Sequence, residues 1–113
     1  MLEITQKVEP SFCVTVFVAG DLDAARQSLR RQCFEEGLCV TLTPTTFIYT
    51  GGAEEGVAVG HINYPRFPRS PEEVTERAVR TAKQLMEDLC QGSCSVVTPI
   101  ETIWLTRRPG DKA

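Results

Sequence analysis

The sequence has little of what identifies a function directly. It contains one histidine and one tryptophan, and its 15 acidic residues outnumber 12 basic ones, for a formal charge of −3. An acidic balance argues against a nucleic-acid-binding surface. No apolar run approaches the roughly 18 residues that a membrane span requires, and the first residues lack the basic leader and apolar core of a signal peptide. These absences favour a cytoplasmic protein that binds neither nucleic acid nor a membrane.

The five cysteines form no recognised motif. Cys90 and Cys94 are one residue too far apart for the CxxC spacing of redox and zinc sites. An odd number of cysteines without a secretion signal fits free thiols better than a disulfide framework. We expect most of them to be small buried side chains, and none has the neighbours that activate a thiol nucleophile.

The 113 residues are enough for a single domain with its own core. We place that core at about residues 11–107 and expect a polar, frayed C-terminal tail over 108–113. A strand over 12–19 opens the core and has apolar side chains on both of its faces. Two apolar faces indicate a central strand that helices cover on one side. We expect a second subunit to cover the other side, which predicts a homo-oligomer.

Two helices are predicted from their ends. Asp21 is the N-cap of the first, and Gly37 is its C-terminal stop. The second helix begins with a capping box, in which Ser70 is the cap, Pro71 takes the first position and Glu73 the third, and it runs to about residue 90.

Residues 38–64 predict two long strands joined by a hairpin turn. Gly51 and Gly52 supply the positive φ angles that such a turn needs, and Gly56 closes the loop before a return strand that begins at Val57. Pro44 lies within the first of these strands, where it predicts a bulge, a bend or an unpaired edge position.

A last strand over residues 96–106 completes the order strand, helix, strand, strand, helix, strand. This order predicts a ferredoxin-like βαββαβ fold, an α+β two-layer sandwich with an antiparallel sheet and two helices on one face.

The run from Cys39 to Pro44, Cys-Val-Thr-Leu-Thr-Pro, resembles the start of the long second strand in the CutA family. Ile48-Tyr49 and Gly51-Gly52 follow it, as an Ile-Tyr pair and a glycine-containing hairpin do in that family. The chain departs from the family where Gly51 stands in place of an aromatic residue. The resemblance implies a ferredoxin-like trimer linked to tolerance of divalent cations, with Cys39 as a weak candidate for a soft-metal ligand.

Six side chains are candidates for contacting a ligand or a partner. The loop after the hairpin places Phe67 between two arginines, and its prolines lower the cost of ordering it on binding. His61 can act as a ligand or as an acid or base, although a lone histidine on a strand is more often a hydrogen-bonded structural residue. An ordinary loop with Phe67 packed into the core is the alternative for the cluster. The candidates are Arg66, Phe67, Arg69, His61, Tyr49 and Tyr64.

No group of residues forms a catalytic or cofactor-binding signature, so we predict no catalytic residue and no cofactor. The first hypothesis is a non-enzymatic oligomeric binding or assembly module that contacts itself, a protein partner or a small ligand. One alternative is a metal or small-molecule sensor of the CutA or PII-like kind. A small enzyme with a site between subunits is the third, and the sequence favours the non-enzymatic interpretation.

Overall fold

The structure is a computed structural model that describes residues 2–111. Within those residues an antiparallel sheet has the strand order β2-β3-β1-β4-β5. This arrangement confirms the ferredoxin-like two-layer prediction and adds a fifth strand. The elements are β1 (Cys13–Ala19), α1 (Leu22–Glu36), β2 (Thr41–Tyr49), β3 (Gly52–Ile62), α2 (Pro71–Asp88), β4 (Ser93–Val97) and β5 (Thr102–Thr106).

The predicted single strand over residues 96–106 is wrong, because the chain reverses at Thr98–Glu101. The Thr98 N–H donates to the Glu101 carbonyl at 2.9 Å, and the Thr98 hydroxyl accepts from the Ile100 and Glu101 N–H groups at 3.2 and 3.0 Å. Pro99 lies inside this turn, where its missing N–H costs no ladder bond. The reversal produces the antiparallel pair β4–β5.

The hairpin between β2 and β3 is tighter than predicted. Tyr49 pairs with Gly52, so the return strand begins at Gly52 and not at Val57. Gly51 has a φ of 90°, whereas Gly52 has no positive φ. The turn therefore depends on Gly51, and the positive φ predicted at Gly52 is wrong. Gly56, predicted to close the loop, lies inside β3.

Pro44 neither bulges nor bends its strand, because β2 pairs with β3 residue by residue from Thr41 to Tyr49. The strand is the edge of the sheet, so Pro44 occupies the unpaired edge position that was one of its three predicted roles.

The helix ends confirm the capping predictions. The Asp21 carboxylate accepts from the Ala24 N–H at 2.9 Å, and Gly37 ends α1 with a φ of 69°. Both bonds of the capping box between Ser70 and Glu73 are present at the start of α2. Within residues 2–111, no helix is both long and apolar enough to cross a membrane.

The core lies between the helices and one face of the sheet, which we call the closed face. The strand side chains of this face are Val14, Val16, Val18, Val57, Val59 and Val96, each at most 1% exposed. Helix α1 contributes Ala25 and Leu29, and α2 contributes chiefly Val74, Ala78, Ala82 and Leu85. The opposite face, which we call the open face, bears Cys13, Thr15, Phe17, Ala58, Ile62 and Trp104. No helix of the described chain packs on it, so cover by a second subunit stays a prediction.

Most cysteines are not buried, contrary to our expectation. Cys94 is buried and Cys33 is half-buried, whereas Cys13, Cys39 and Cys90 are exposed. Burial raises the pKa of the Cys94 thiol to about 11. The three exposed cysteines lie on the open face (Cys13) or beyond a helix end (Cys39 and Cys90), where an apolar sequence pattern does not ensure cover.

The C-terminal segment is anchored as far as the structure describes it. The Arg107 guanidinium donates to the carbonyls of Met86 and Gln91, both at 3.1 Å, and so satisfies groups at the end of α2. The Thr106 hydroxyl donates to the Asp111 carboxylate at 2.6 Å. The fraying of 108–113 stays a prediction, and residues 112–113 lie outside the described residues.

Candidate functional site

A cavity of about 300 Å³ lies between the end of β3, the loop that follows it, the end of α1 and the start of α2. We call it the arginine pocket, because Arg66, Arg69 and Arg77 line it. Its volume is at the lower end of the roughly 300–1,000 Å³ typical of small-molecule sites. The lining includes all but one of the residues singled out in the sequence, namely His61, Tyr64, Arg66, Phe67, Arg69 and Cys39.

Tyr49 is the candidate that the structure places elsewhere. It lies at the turn between β2 and β3, is 55% exposed and does not line the pocket.

Asn63 holds the loop that forms one wall of the pocket. Its side-chain N–H₂ donates to the Pro10 carbonyl, and its Oδ1 accepts from the Arg69 N–H, both at 2.8 Å. Between these anchors the Phe67 N–H donates to the Tyr64 carbonyl at 2.9 Å, which closes a turn. The loop is thus fixed at both ends and within its turn.

The loop contributes positively charged and aromatic side chains to the lining of the cavity. The Arg66 guanidinium lies 5.3 Å from the centre of the Phe67 ring, in a cation–π contact. Phe67 is 61% exposed, so the alternative in which it packs into the core is wrong. Within residues 2–111, Arg66, Arg69 and Arg77 form no ion pair, and no carboxylate residue lines the pocket. Unpaired guanidinium groups are suited to binding a carboxylate or a phosphate.

His61 supplies a buried polar atom at the wall of the pocket. It is 5% exposed, and its Nε2 has no hydrogen-bond partner in the described chain. The pKa of His61 is lowered to about 4, chiefly by burial; Glu36 opposes this effect and Arg77 adds to it. The imidazole is therefore neutral at pH 7. A neutral ring with a free nitrogen can donate or accept one hydrogen bond from a bound molecule.

Cys39 and Tyr64 contact each other at the rim of the pocket. The Cys39 Sγ and the Tyr64 hydroxyl oxygen lie 3.5 Å apart, within hydrogen-bond distance, and this contact is the main cause that raises the pKa of Tyr64. No group of three or more histidine, cysteine or acidic side chains within residues 2–111 could hold a metal ion. A metal-binding role for Cys39 stays a prediction.

The sequence analysis missed Arg77 and Val74, which α2 contributes to the pocket. Both lie on the first two turns of a helix whose start was correctly predicted. Asking which side chains those turns present beside the preceding loop could have identified them.

A second cavity, of about 160 Å³, lies on the open face. We call it the aromatic cleft, because its walls include Phe17, Phe47 and Trp104, with Glu54 beside them. None of these residues was a candidate from the sequence.

No protein-family model and no curated protein matches the sequence. Solved structures of similar fold are those of a phage SAM lyase. The lyase in complex with S-methyl-5′-thioadenosine has a TM-score of 0.73 and 16% identity, over 97% of this chain and 100% of that chain. The apo lyase has a TM-score of 0.68 and 16% identity, over 96% of this chain and 100% of that chain.

These similarities correct the functional interpretation of the sequence. The non-enzymatic binding or assembly module is wrong, and so is the metal or small-molecule sensor, because the similar structures are those of an enzyme. The third alternative, a small enzyme with a site between subunits, named no reaction. It therefore did not predict the activity of the similar structures. The similar structures are those of an enzyme, whereas the sequence favoured the non-enzymatic interpretation. Neither structure is a CutA protein, so that resemblance stays a prediction.

Proposed function

We propose that this protein is an enzyme that cleaves S-adenosylmethionine and releases S-methyl-5′-thioadenosine. The observation that carries the proposal is the similarity of fold to a phage SAM lyase bound to S-methyl-5′-thioadenosine, over 97% of this chain with a TM-score of 0.73. We assign the reaction to the arginine pocket, which is the larger of the two cavities described above.

The chemistry of the pocket suits the parts of this substrate. The rings of Tyr64 and Phe67 offer flat surfaces on which an adenine can stack. A guanidinium group of Arg69 or Arg77 can donate a charged hydrogen bond to one oxygen of the substrate carboxylate, which leaves the other oxygen free. The neutral imidazole of His61 also lines the pocket and offers the adenosyl group an uncharged wall.

The reaction needs no water and no cofactor to balance. The bond between the sulfonium sulfur and Cγ of the methionyl group breaks, and its electron pair stays on sulfur, which becomes the neutral thioether of S-methyl-5′-thioadenosine. The carboxylate oxygen of the same substrate forms a bond to Cγ and closes a five-membered lactone. The positive charge of the sulfonium and the negative charge of the carboxylate cancel in this step.

A step that cancels charge is favoured where water is excluded, because water stabilises the separated charges of the reactant. The pocket residues then have two tasks. The arginines hold the carboxylate in place, with one oxygen free to reach Cγ. The aromatic rings hold the adenosyl group so that the leaving sulfur lies on the opposite side of Cγ from the attacking oxygen.

The test is to incubate the purified protein with S-adenosylmethionine and to quantify S-methyl-5′-thioadenosine by liquid chromatography and mass spectrometry. We expect product formation, and a fall of at least about tenfold in kcat/KM for Arg77→Gln, because a charged hydrogen bond contributes about 1.5–3 kcal/mol. Glu54→Gln, in the aromatic cleft, is the matched control and should retain activity. Absence of product would overturn the function. Loss of activity in Glu54→Gln alone would move the reaction to the aromatic cleft.

We also propose that the protein forms a homo-oligomer. The support is the open face, where Trp104 is 51% and Ile62 46% exposed. Apolar surface that no helix covers is a common feature of subunit contacts. Light scattering coupled to size exclusion should give a mass above the 12.5 kDa of one chain, and a monomer at micromolar concentration would contradict the proposal.

A further inference from the structure

Residues 2–10, which we call the N-terminal arm, form no helix or strand, and all of them except Glu9 are exposed. Leu2, Ile4 and Val8 are 92%, 97% and 77% exposed. Their alternate spacing places them on one face of an extended strand. The molecule measures 56 Å along its longest axis against 29 and 27 Å along the others, as expected if the arm projects. An unpaired extended strand with an apolar face is suited to adding to a sheet edge.

The base of the arm is fixed in position. The Pro10 carbonyl accepts a hydrogen bond from the Asn63 side chain at 2.8 Å, and the Asn63 N–H donates to the Phe12 carbonyl at 3.1 Å. Asn63 directly follows β3. The arm therefore leaves the sheet at the end of β3.

Of the two sheet edges, β5 is the better template for an added strand. The other edge, β2, contains Pro44, which cannot donate to a neighbouring strand. Strand β5 contains no proline, and large apolar side chains are exposed on it and in the turn before it: Trp104 is 51% and Ile100 84% exposed.

We propose that the arm of one copy of this chain adds antiparallel to β5 of a second copy, with Ile4 opposite Trp104 on the strand and Val8 beside Ile100 in the turn that precedes it. This register covers the two exposed apolar side chains of the edge with two exposed apolar side chains of the arm.

The same register also places two opposite charges beside each other. With Ile4 opposite Trp104, Lys7 lies opposite Glu101. Neither side chain forms an ion pair in the described chain. Opposite charges that face each other across neighbouring strands stabilise the pairing, and like charges oppose it.

In this register the arm cannot reach β5 of its own chain. The arm leaves the sheet beside β3, and the sheet order runs β3, β1, β4, β5. Strands β3 and β5 are therefore three spacings apart, about 14 Å at 4.8 Å per spacing. Val8 lies only two residues from Pro10, and two extended residues span about 7 Å at most. The partner that fits is therefore a second copy.

The decisive experiment uses two full-length charge-reversal variants, Lys7→Glu and Glu101→Lys, and measures self-association by sedimentation velocity. Each variant alone should associate about three- to tenfold more weakly than the unaltered chain, because each contact then opposes like charges. An equimolar mixture should recover the affinity and form mixed dimers, since every contact in a mixed dimer is complementary. Lys7→Arg, which keeps the charge, is the control.

A second variant tests the strand pairing itself. Ile4→Pro removes a strand N–H and an apolar side chain from the arm, and it should weaken association by more than either charge reversal. Its thermal midpoint under monomeric conditions should not change, because Ile4 contacts no core residue. Unchanged association of all three variants would overturn the proposal, as would association of the single charge variants that mixing does not restore. Both results are independent of whether S-adenosylmethionine is cleaved.

Discussion

The closed and open faces of the sheet bear similar apolar patterns in the sequence but have different surroundings in the structure. On β1, Val14, Val16 and Val18 are at most 1% exposed beneath the helices. Their neighbours Thr15, Phe17 and Ala19 point to the open face and are only half-buried. The comparison shows that an apolar row indicates a need for cover and does not identify what supplies it.

The two faces also differ in how a polar group is treated. The closed-face row of β3 continues from Val57 and Val59 to His61, which is buried but has no partner for its Nε2. A row that builds the core thus ends at the wall of the arginine pocket. The open face instead carries threonine, serine and small residues that remain in contact with solvent.

The largest expected difference between the faces is in packing energy. Leu85→Ala should lower the free energy of unfolding by about 2–5 kcal/mol, because it removes a fully buried side chain above the closed face. Ile62→Ala, on the open face and 46% exposed, should cost less than about 1.5 kcal/mol in the monomer. Urea unfolding of both variants at a monomeric concentration measures the contrast. Equal losses would contradict the difference in burial between the two faces.

A second contrast concerns pH. The folded pKa of His61 is about 4, below its ordinary value of 6.5, because burial disfavours the charged ring. The unfolded chain therefore binds a proton at His61 more readily than the folded chain does. The free energy of unfolding is highest above pH 6.5 and falls by about 3 kcal/mol in total as the pH falls toward 4. Unfolding of the unaltered protein and of His61→Asn at pH 7 and pH 4 should show a smaller pH effect in the variant. An identical pH effect would mean that the ring is accessible to protons in the folded state.

The smallest expected difference is between two glycines of the open face, and it tests whether Phe47 packs over Gly56. A Cβ added at Gly56 would collide with the Phe47 ring and the Val18 carbonyl, which is backbone and cannot swing away. Gly56→Ala should therefore destabilise the fold by about 1–3 kcal/mol. At Gly60 the added atom meets only the Thr41 hydroxyl, which can rotate, so Gly60→Ala should cost less. Thermal unfolding compares the two, and equal midpoints would show that Phe47 does not pack over Gly56.

Sequence reasoning reached most of the fold because its signals are short-range. The cap at Asp21 contacts a residue three positions away, and the capping box at Ser70 does the same. The turn at Thr98–Glu101 was missed because apolar and polar residues alternate on both sides of it. This pattern is the one expected for a single continuous strand. The positive φ was assigned to two glycines, whereas the geometry of a two-residue turn requires it only at Gly51.

The loop cluster of the candidate site could be found from the sequence because Arg66, Phe67 and Arg69 are neighbours in the chain. The pocket itself could not. It forms where that loop, the start of α2 and the segment after α1 approach the end of β3, and these elements are distant in sequence. Arg77 was therefore missed, and Tyr49 was included although it lies at the far turn of the hairpin.

The sequence by itself determined the helix boundaries and the ferredoxin-like order of elements, and it showed two apolar rows on the first strand without deciding which row faces the helices. Each of these depends on residues within a few positions of one another or on a repeating pattern along one strand. Only the tertiary structure decided the fifth strand, the arginine pocket and the lowered pKa of His61. Burial of one side chain and convergence of several are properties of the whole packed chain, because they depend on groups that only folding brings together.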